Sequence, residues 1–283
     1  MPLIALVIVS VIAGGLVALV AARLTRPGGR DGPRPLGFAA RFDPEAATGL
    51  ALTLALLVLV LGGVVLAVLA FLVRDADGAL GVDRSAATWA SEHGTAFTHD
   101  VLEAFTHLGQ PGVVVAMAVV LAVVETVRTR SRWVVPFLLI VVGGNGILTT
   151  SIKHLADRVR PEFNPIAETL GPSFPSGHSS WAAAFFAAAA LLLSRGRSRH
   201  VSIALSGIAA GLAVAVGASR VPLNVHWLSD VLAGLALGWA WFAVCSIAFG
   251  GRLLRFGAAV RPEAPQRAAA PAGGHPPPPT RRT

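Results

Sequence analysis

Three short polar clusters lie at the ends of long apolar stretches and contain the residue types that phosphate chemistry requires. Together they supply one lysine, several arginines, two histidines and an aspartate. The clusters are Lys153 to Arg160-Pro161, Pro175-Ser176-Gly177-His178, and Ser219-Arg220 followed by His226 and Asp230. Lysine and arginine bind phosphate oxygens, and histidine can act as a nucleophile or as a proton donor. The clusters therefore indicate a phosphate-binding site that is also equipped for catalysis.

The cations and one predicted helix start form the binding half of this site. Lys153, Arg160 and Arg220 are positively charged, and guanidinium groups bind phosphate oxygens in pairs. The Ser176-Gly177-His178 segment stands where an apolar helix begins, so its backbone N–H groups and the helix dipole attract an anion. The glycine lets the backbone approach that anion closely. These features predict a phosphate cradle.

The two histidines and the aspartate form the reactive half of the site. His226 and Asp230 are four residues apart, and they share one face if a helix starts near the histidine. The aspartate can then hold the Nδ1–H tautomer, which leaves Nε2 as a nucleophile. His178, on another segment, can protonate a leaving alkoxide. A His-x3-Asp pair alone is more often a hydrogen bond along a helix face, so the hypothesis depends on the combination.

The composition excludes several other classes of protein. Of 283 residues, 54% are hydrophobic and 13% are charged, whereas soluble domains are about 25% charged. This excludes an ordinary cytosolic enzyme and predicts an integral membrane protein. A single cysteine, Cys245, excludes a disulfide framework and a Cys-rich metal site. We expect no metal at the histidines either, because three neighbouring cations would repel a divalent ion.

The use of basic residues is also unusual. Lys153 is the only lysine among 23 basic residues. This reflects either codons that favour arginine or a role at this position that arginine cannot fill.

Seven apolar segments approach the length of about 20 residues that crosses a bilayer. They are Pro2–Ala22, Ala46–Val73, Pro111–Val124 with a backward extension through Phe105, Trp133–Ile152, Ser179–Ser194, Val201–Ser219 and Val231–Gly251. The predicted fold is an all-α, polytopic membrane helical bundle. It consists of a six-span core and one extra N-terminal span.

The basic residues predict the orientation of this bundle. The first span lacks a basic segment before it and is followed by several arginines, which is typical of an anchor with its N terminus outside rather than of a signal peptide. In that orientation, 17 of the 23 basic residues lie inside. The others are Arg74, Arg84, Lys153, Arg158, Arg160 and Arg220. Four of these, Lys153, Arg158, Arg160 and Arg220, lie within the polar clusters. We therefore expect the site on the extracytoplasmic face of a bacterial cytoplasmic membrane.

Composition further divides the chain into four parts. We expect residues 1–23 to form the N-terminal anchor and residues 24–45, rich in Arg, Pro and Gly, to form a cytoplasmic linker. We expect residues 46–256 to form the six-span core and residues 257–283, rich in Pro and Arg, to form a disordered cytoplasmic tail. Within the core, the apolar spacing between Arg74 and Gln110 predicts one or two helices that lie on the outer leaflet.

In combination, the clusters resemble the motifs of the type 2 phosphatidic acid phosphatase family, which shares its site with vanadium haloperoxidases and bacterial acid phosphatases. The family motifs are K-x6-R-P, P-S-G-H and S-R-x5-H-x3-D, and all eleven fixed positions match in order. The resemblance covers roughly residues 48–250. The single lysine falls on the phosphate-binding lysine of the family.

The resemblance implies a phosphatase that needs neither metal nor cofactor. His226 would be the nucleophile that forms a phosphohistidine, and Asp230 would orient it. His178 would be the general acid and would then help to activate water. The implied phosphate-binding residues are Lys153, Arg160, Ser176, Gly177 and Arg220. Arg158 is an extra basic residue in the first motif, with at most an electrostatic role.

A site at the headgroup level suits an amphiphile whose tail stays in the bilayer. Phosphatidic acid, other lipid phosphates and undecaprenyl diphosphate all fit, so the expected partners are a lipid phosphate or diphosphate and membrane lipids, without nucleic acid. A lipid phosphotransferase would use the same residues. A lipid transporter would need the basic cluster but neither His178 nor the His226–Asp230 pair.

Overall fold

The computed structural model describes residues 2–24, 47–75, 80–161 and 171–253. Within these ranges the chain forms nine α-helices and no β-strand. The helices are α1 (Pro2–Leu24), α2 (Ala47–Asp75), α3 (Gly81–His93), α4 (Ala96–His107), α5 (Pro111–Thr129), α6 (Val134–Ala156), α7 (Gly177–Ser194), α8 (Arg199–Ser219) and α9 (Leu228–Leu253). Apart from Leu24, the linker predicted at 24–45 lies outside the described residues, as does the tail predicted at 257–283.

Seven of the described helices are long and apolar enough to cross a membrane, which confirms the predicted all-α bundle. Six of the predicted spans each coincide with one helix. The backward extension of the third span through Phe105 is wrong, because α4 ends at His107 and α5 begins at Pro111. A proline has no N–H to continue a preceding helix, but it fits the first turn of a new one. The other two helices, α3 and α4, lie in the stretch where one or two short helices are predicted.

Local capping explains where several helices begin and end. Ser176 is the N-cap of α7, and Thr95 caps α4 in a reciprocal capping box with Thr98. Such hydroxyls satisfy N–H groups that have no partner within the helix. At the other end of α6, Asp157 adopts a left-handed conformation with φ of 43°. This residue ends α6, and the chain leaves the helix axis directly after the last turn.

Helix α7 is the centre of the bundle and packs against α6, α8 and α9. On α9, Gly234 and Gly238 allow a close approach, because an added Cβ at these positions would collide with the carbonyl oxygens of Ser176 and Ser180. Small residues of this kind let helices associate by van der Waals packing within a membrane. The contact fixes the start of α7, which carries the second polar cluster, against the start of α9, which carries part of the third.

The extra N-terminal helix, α1, packs along α8. Gly14 and Gly207 meet so closely that a Cβ on Gly14 would lie 2.6 Å from the Gly207 carbonyl oxygen. Near the C-terminal end of α1, Arg199 donates a hydrogen bond to the Ala22 carbonyl oxygen. Many leucine, isoleucine and valine side chains of α1 and α2 are exposed on the outside of the bundle. Such surfaces are expected of helices that face lipid.

Candidate active site

The last turn of α6 meets the first turn of α7 at one end of the bundle, which we call the site end. Lys153 lies there, and its Nζ donates to the carbonyl oxygens of Pro172 at 2.5 Å and Ser173 at 3.3 Å. Gly177 faces it, since an added Cβ would lie 4.0 Å from Lys153 Cε. Lys153 forms no ion pair with any carboxylate of the described ranges, so its charge is available to an anion.

Arg160 is buried and connects two loops of the site end. Its Nε donates to the Gly171 carbonyl oxygen at 2.8 Å, and its Nη1 donates to the Val225 carbonyl oxygen at 2.5 Å. The same Nη1 lies 3.2 Å from His226 Nε2. Burial lowers the pKa of Arg160, and the nearby charge of Asp230 partly offsets this effect. Because arginine is not deprotonated in proteins, the guanidinium stays charged.

Arg220 follows α8 and is also buried. Its Nη1 donates to Thr106 Oγ1 at 2.8 Å, a contact that the sequence does not predict. Its Nε is buried without a hydrogen-bond partner in the described part of the chain. Burial, together with the charge of Arg160, lowers the pKa of Arg220 to about 10, so the side chain remains protonated at neutral pH. A buried donor without an acceptor is costly, and a bound anion would supply that acceptor.

His226 and Asp230 form the predicted pair, with His226 Nδ1 3.3 Å from Asp230 Oδ2. Because arginine can only donate, the contact with Arg160 makes His226 Nε2 an acceptor and leaves the proton on Nδ1. Burial lowers the pKa of His226 well below its ordinary value, and the charges of Arg160, Arg220 and Lys153 lower it further. The imidazole is therefore neutral at neutral pH, with its Nε2 lone pair on the cationic side of the site.

His178 lies in the first turn of α7 and is half-buried. The charges of Arg220 and Arg160 act on it, as does His226, so both predicted histidines lie in one site. Gly109, in the turn between α4 and α5, packs directly behind it. An added Cβ at this glycine would lie 2.8 Å from the His178 carbonyl oxygen. The α4–α5 turn therefore supports the position of the histidine.

Ser176 and Gly177 form the start of α7. The backbone N–H of Ser176 donates to the Asp230 carbonyl oxygen at 2.9 Å, which ties this helix start to α9. The Ser176 hydroxyl accepts a hydrogen bond from Ser179 Oγ at 2.9 Å. The hydroxyl is thus engaged in capping, and the N–H groups at the helix start are the donors that an anion would meet.

Two further residues, Arg158 and Asp83, are connected to Asp230. Arg158 is buried, donates to Asp83 Oδ2 at 2.7 Å and to Ser229 Oγ at 2.8 Å, and also donates to Asp230 Oδ1. The sequence indicates at most an electrostatic role for Arg158 and none for Asp83. One signal was available, because alternate residues of an extended segment share a side and Arg158 precedes Arg160 by two. Asp83 carries no such signal, since it lies in a distant, weakly patterned segment.

The structure therefore brings all eight predicted site residues to the site end. They combine a charged anion pocket with a neutral histidine that an aspartate orients. Within the described ranges, no group of three or more His, Cys, Asp or Glu side chains is arranged to hold a metal ion.

Comparison with known proteins identifies several relatives. Phosphatidylglycerophosphatase B of Bacillus subtilis (strain 168) is 35% identical over 143 residues, which are 50% of this chain and 70% of that protein. A lipid A 1-phosphatase of Rhizobium johnstonii is 34% identical over 135 residues, which are 42% of this chain and 51% of that protein. A decaprenylphosphoryl-5-phosphoribose phosphatase of Mycobacterium tuberculosis is 30% identical over 156 residues, which are 52% of this chain and 78% of that protein.

A solved structure and a family model agree with these relatives. The crystal structure of a transmembrane PAP2-type phosphatidylglycerolphosphate phosphatase from Bacillus subtilis superposes with a TM-score of 0.61 and 27% identity, over 70% of this chain and 98% of that one. The model of the PAP2 superfamily matches residues 133–253, which include all three polar clusters. This membrane-spanning chain belongs to the PAP2 superfamily.

Proposed function

We propose that this protein is a metal-independent lipid phosphatase that works through a phosphohistidine at the extracytoplasmic face of the membrane. The observation that carries the proposal is the geometry of His226, whose Nδ1 lies 3.3 Å from Asp230 Oδ2 and whose Nε2 lies 3.2 Å from Arg160 Nη1, in a site that also holds Lys153 and Arg220. A binding protein for anions needs the cations but has no use for an oriented neutral imidazole. A phosphoryl-transfer enzyme needs both.

The proposed reaction has two steps. His226 Nε2 attacks phosphorus, and the bond from phosphorus to the leaving oxygen breaks as His178 gives that oxygen a proton. In the second step His178 removes a proton from water, the water oxygen attacks phosphorus, and the P–N bond to His226 breaks. Inorganic phosphate leaves, and both histidines return to their starting protonation states. Lys153, Arg160, Arg220 and the N–H groups at the start of α7 stabilise the charge on the phosphoryl oxygens.

Two features support a lipid as the substrate. The site lies at the ends of membrane-spanning helices, where a phosphate at headgroup level could enter it. A groove of about 500 Å³ also opens between α6 and α7, and its lining includes Gly146, Ile147, Thr150 and Trp181. The groove reaches His154, next to Lys153 in the chain, so a lipid tail in the groove would leave its phosphate near the lysine. The names of the relatives describe phosphatases of lipids, which is consistent with this choice.

A phosphate-release assay on purified protein tests the proposal. In detergent micelles with excess EDTA, we expect inorganic phosphate release from a panel of phosphatidic acid, phosphatidylglycerophosphate and undecaprenyl diphosphate, and little from a soluble phosphate ester. His226→Ala should reduce kcat more than about 100-fold, the lower range for loss of a proton-transfer or nucleophilic group. His200→Ala is a matched control, because this histidine is exposed near the start of α8, at the opposite end of the bundle from the site, and should not affect turnover.

Other outcomes would support other functions. Activity that EDTA abolishes would overturn the metal-independent mechanism. Transfer of the phosphoryl group to an added alcohol, without release of inorganic phosphate, would indicate a phosphotransferase. Lipid translocation in vesicles without any phosphate release would indicate a transporter.

A further inference from the structure

A buried polar network connects the short helix α3 to the catalytic pair. Asp83, on α3, and Arg158, after α6, are both buried, and their side chains form an ion pair at 2.7 Å. Asp83 also accepts hydrogen bonds from the Ser229 N–H at 2.9 Å and from Ser229 Oγ at 2.6 Å. Ser229 is the residue before Asp230 in the first turn of α9. The network therefore reaches the carboxylate that orients His226.

The two oxygens of Asp230 have different partners. Oδ2 faces His226 Nδ1 and accepts from the Trp227 N–H at 3.0 Å. Oδ1 accepts from Arg158 Nη1. Arg158 therefore holds one oxygen of the carboxylate while the other oxygen faces the histidine, which fixes the rotation of the carboxylate.

The charges of the network explain why a second carboxylate is needed. If Asp230 were the only anion beside Arg158, the guanidinium would neutralise the carboxylate and weaken its hydrogen bond to His226. Asp83 takes the other edge of the guanidinium, so the two carboxylates and one arginine retain one net negative charge. That charge lies next to the imidazole and favours the positive charge that develops on it during attack on phosphorus.

We propose that Asp83 and Arg158 are positioning residues of the reaction, which act on His226 through Asp230. This inference rests on the proposed function, because it assigns a role within the same site. Neither side chain is part of the cation set assigned to the phosphate. Their removal should therefore slow the chemical step and leave phosphate binding nearly unchanged.

The first test is the isosteric variant Asp83→Asn. We expect kcat to fall by about 10- to 100-fold, by analogy with the loss seen when the hydrogen-bond partners of metal-ligating residues are removed, with KM and product inhibition by inorganic phosphate nearly unchanged. Asp100→Asn is the matched control, because Asp100 lies on the neighbouring helix α4 and is exposed. It should retain wild-type kinetics.

The decisive measurement repeats the substitution in an Asp230→Asn background. If Asp83 acts through Asp230, the second substitution should change kcat by less than about threefold there, since interacting residues are non-additive. An equal loss in both backgrounds would overturn the inference and show a general structural effect. A wild-type protein without phosphatase activity would instead overturn the proposed function, so the two failures can be distinguished.

A second variant keeps the inference testable if Asp83→Asn does not fold, as judged by gel filtration and thermal unfolding in detergent. Arg158→Lys retains the positive charge but cannot bridge Asp83 and Asp230 with a planar fork. We expect the same loss of kcat at constant KM, and again little further loss when Asp230 is already Asn. A rise in KM at constant kcat would overturn the inference, since it would show that Arg158 binds the substrate.

Discussion

At the scale of single residues, the single lysine makes it possible to test whether the site requires only a positive charge or also the compact shape of an ammonium group. Lys153 is held by the carbonyl oxygens of Pro172 and Ser173 at 2.5 and 3.3 Å, which accommodate a compact ammonium group. A guanidinium has the same charge but is planar and larger. If the position needed only an interfacial cation, either residue would serve, because both extend their charge to the membrane surface.

We therefore predict that Lys153→Arg lowers kcat/KM by at least about tenfold, or about 1.4 kcal/mol of transition-state stabilisation. The measurement is steady-state kinetics on the best substrate of the lipid panel. The reverse exchange Arg84→Lys, at an exposed position of α3, is the control and should be silent. Wild-type kinetics in Lys153→Arg would mean that the single lysine reflects codon usage alone.

The sequence could predict those site residues that are marked by a local pattern, such as helical spacing or the start of an apolar run. His226 and Asp230 share a helical spacing, and the start of α7 is marked by Ser176 and an apolar run. Asp83 could not be predicted in this way. Its partner Arg158 is 75 residues distant along the chain, and an aspartate in the first turn of a surface helix is usually explained by the helix dipole alone. Only the packing of α3 against α9 reveals its contacts with Arg158 and Ser229.

At the scale of elements, the turn between α4 and α5 shows how a wrong helix boundary can hide a contact at the candidate site. Hydropathy alone favours a third span that continues backward from Pro111 through Phe105. The chain instead breaks at residues 108–110, and this break brings Gly109 against the backbone of His178. The sequence could not predict the contact, because it depends on how α4 and α5 lie across the start of α7.

We predict that Gly109→Ala lowers kcat with little change in the amount of folded protein. The added Cβ would lie 2.8 Å from the His178 carbonyl oxygen and would also meet Val216 Cγ1, so the first turn of α7 must move. A displacement of about 1 Å at a catalytic group can cost about 100-fold in rate. Gly112→Ala is the matched control, because nothing lies within 4 Å of the Cβ it would add. Equal kinetics in the two variants would exclude a positioning role for Gly109.

At the scale of the whole molecule, the helix directions agree with a single polarity. Opposite the site end, Arg128 of α5 donates to the Leu192 carbonyl oxygen of α7 at 3.1 Å, and Arg199 of α8 donates to the Ala22 carbonyl oxygen of α1. Four helices therefore have ends at this level. These helix ends and the loops between them carry most of the arginines of the described residues. All three motifs lie at the opposite level. The arrangement follows from the alternation of spans, which the sequence could predict once the spans were counted.

The distribution of arginines also predicts which end of the bundle faces the cell exterior. Because arginine-rich loops stay in the cytoplasm, we predict that the site end is extracytoplasmic. Two exposed serines make a matched pair for cysteine labelling: Ser91 on α3, near the site end, and Ser198 before α8, at the arginine-rich end. In a Cys245→Ala background, an impermeant thiol reagent should label Ser91→Cys in intact cells and Ser198→Cys only after permeabilisation. The Cys245→Ala substitution removes the single cysteine, so this background alone should give no signal. The reverse pattern would place the site at the inner leaflet, and its substrate would then be a cytoplasmic lipid phosphate rather than one released outside.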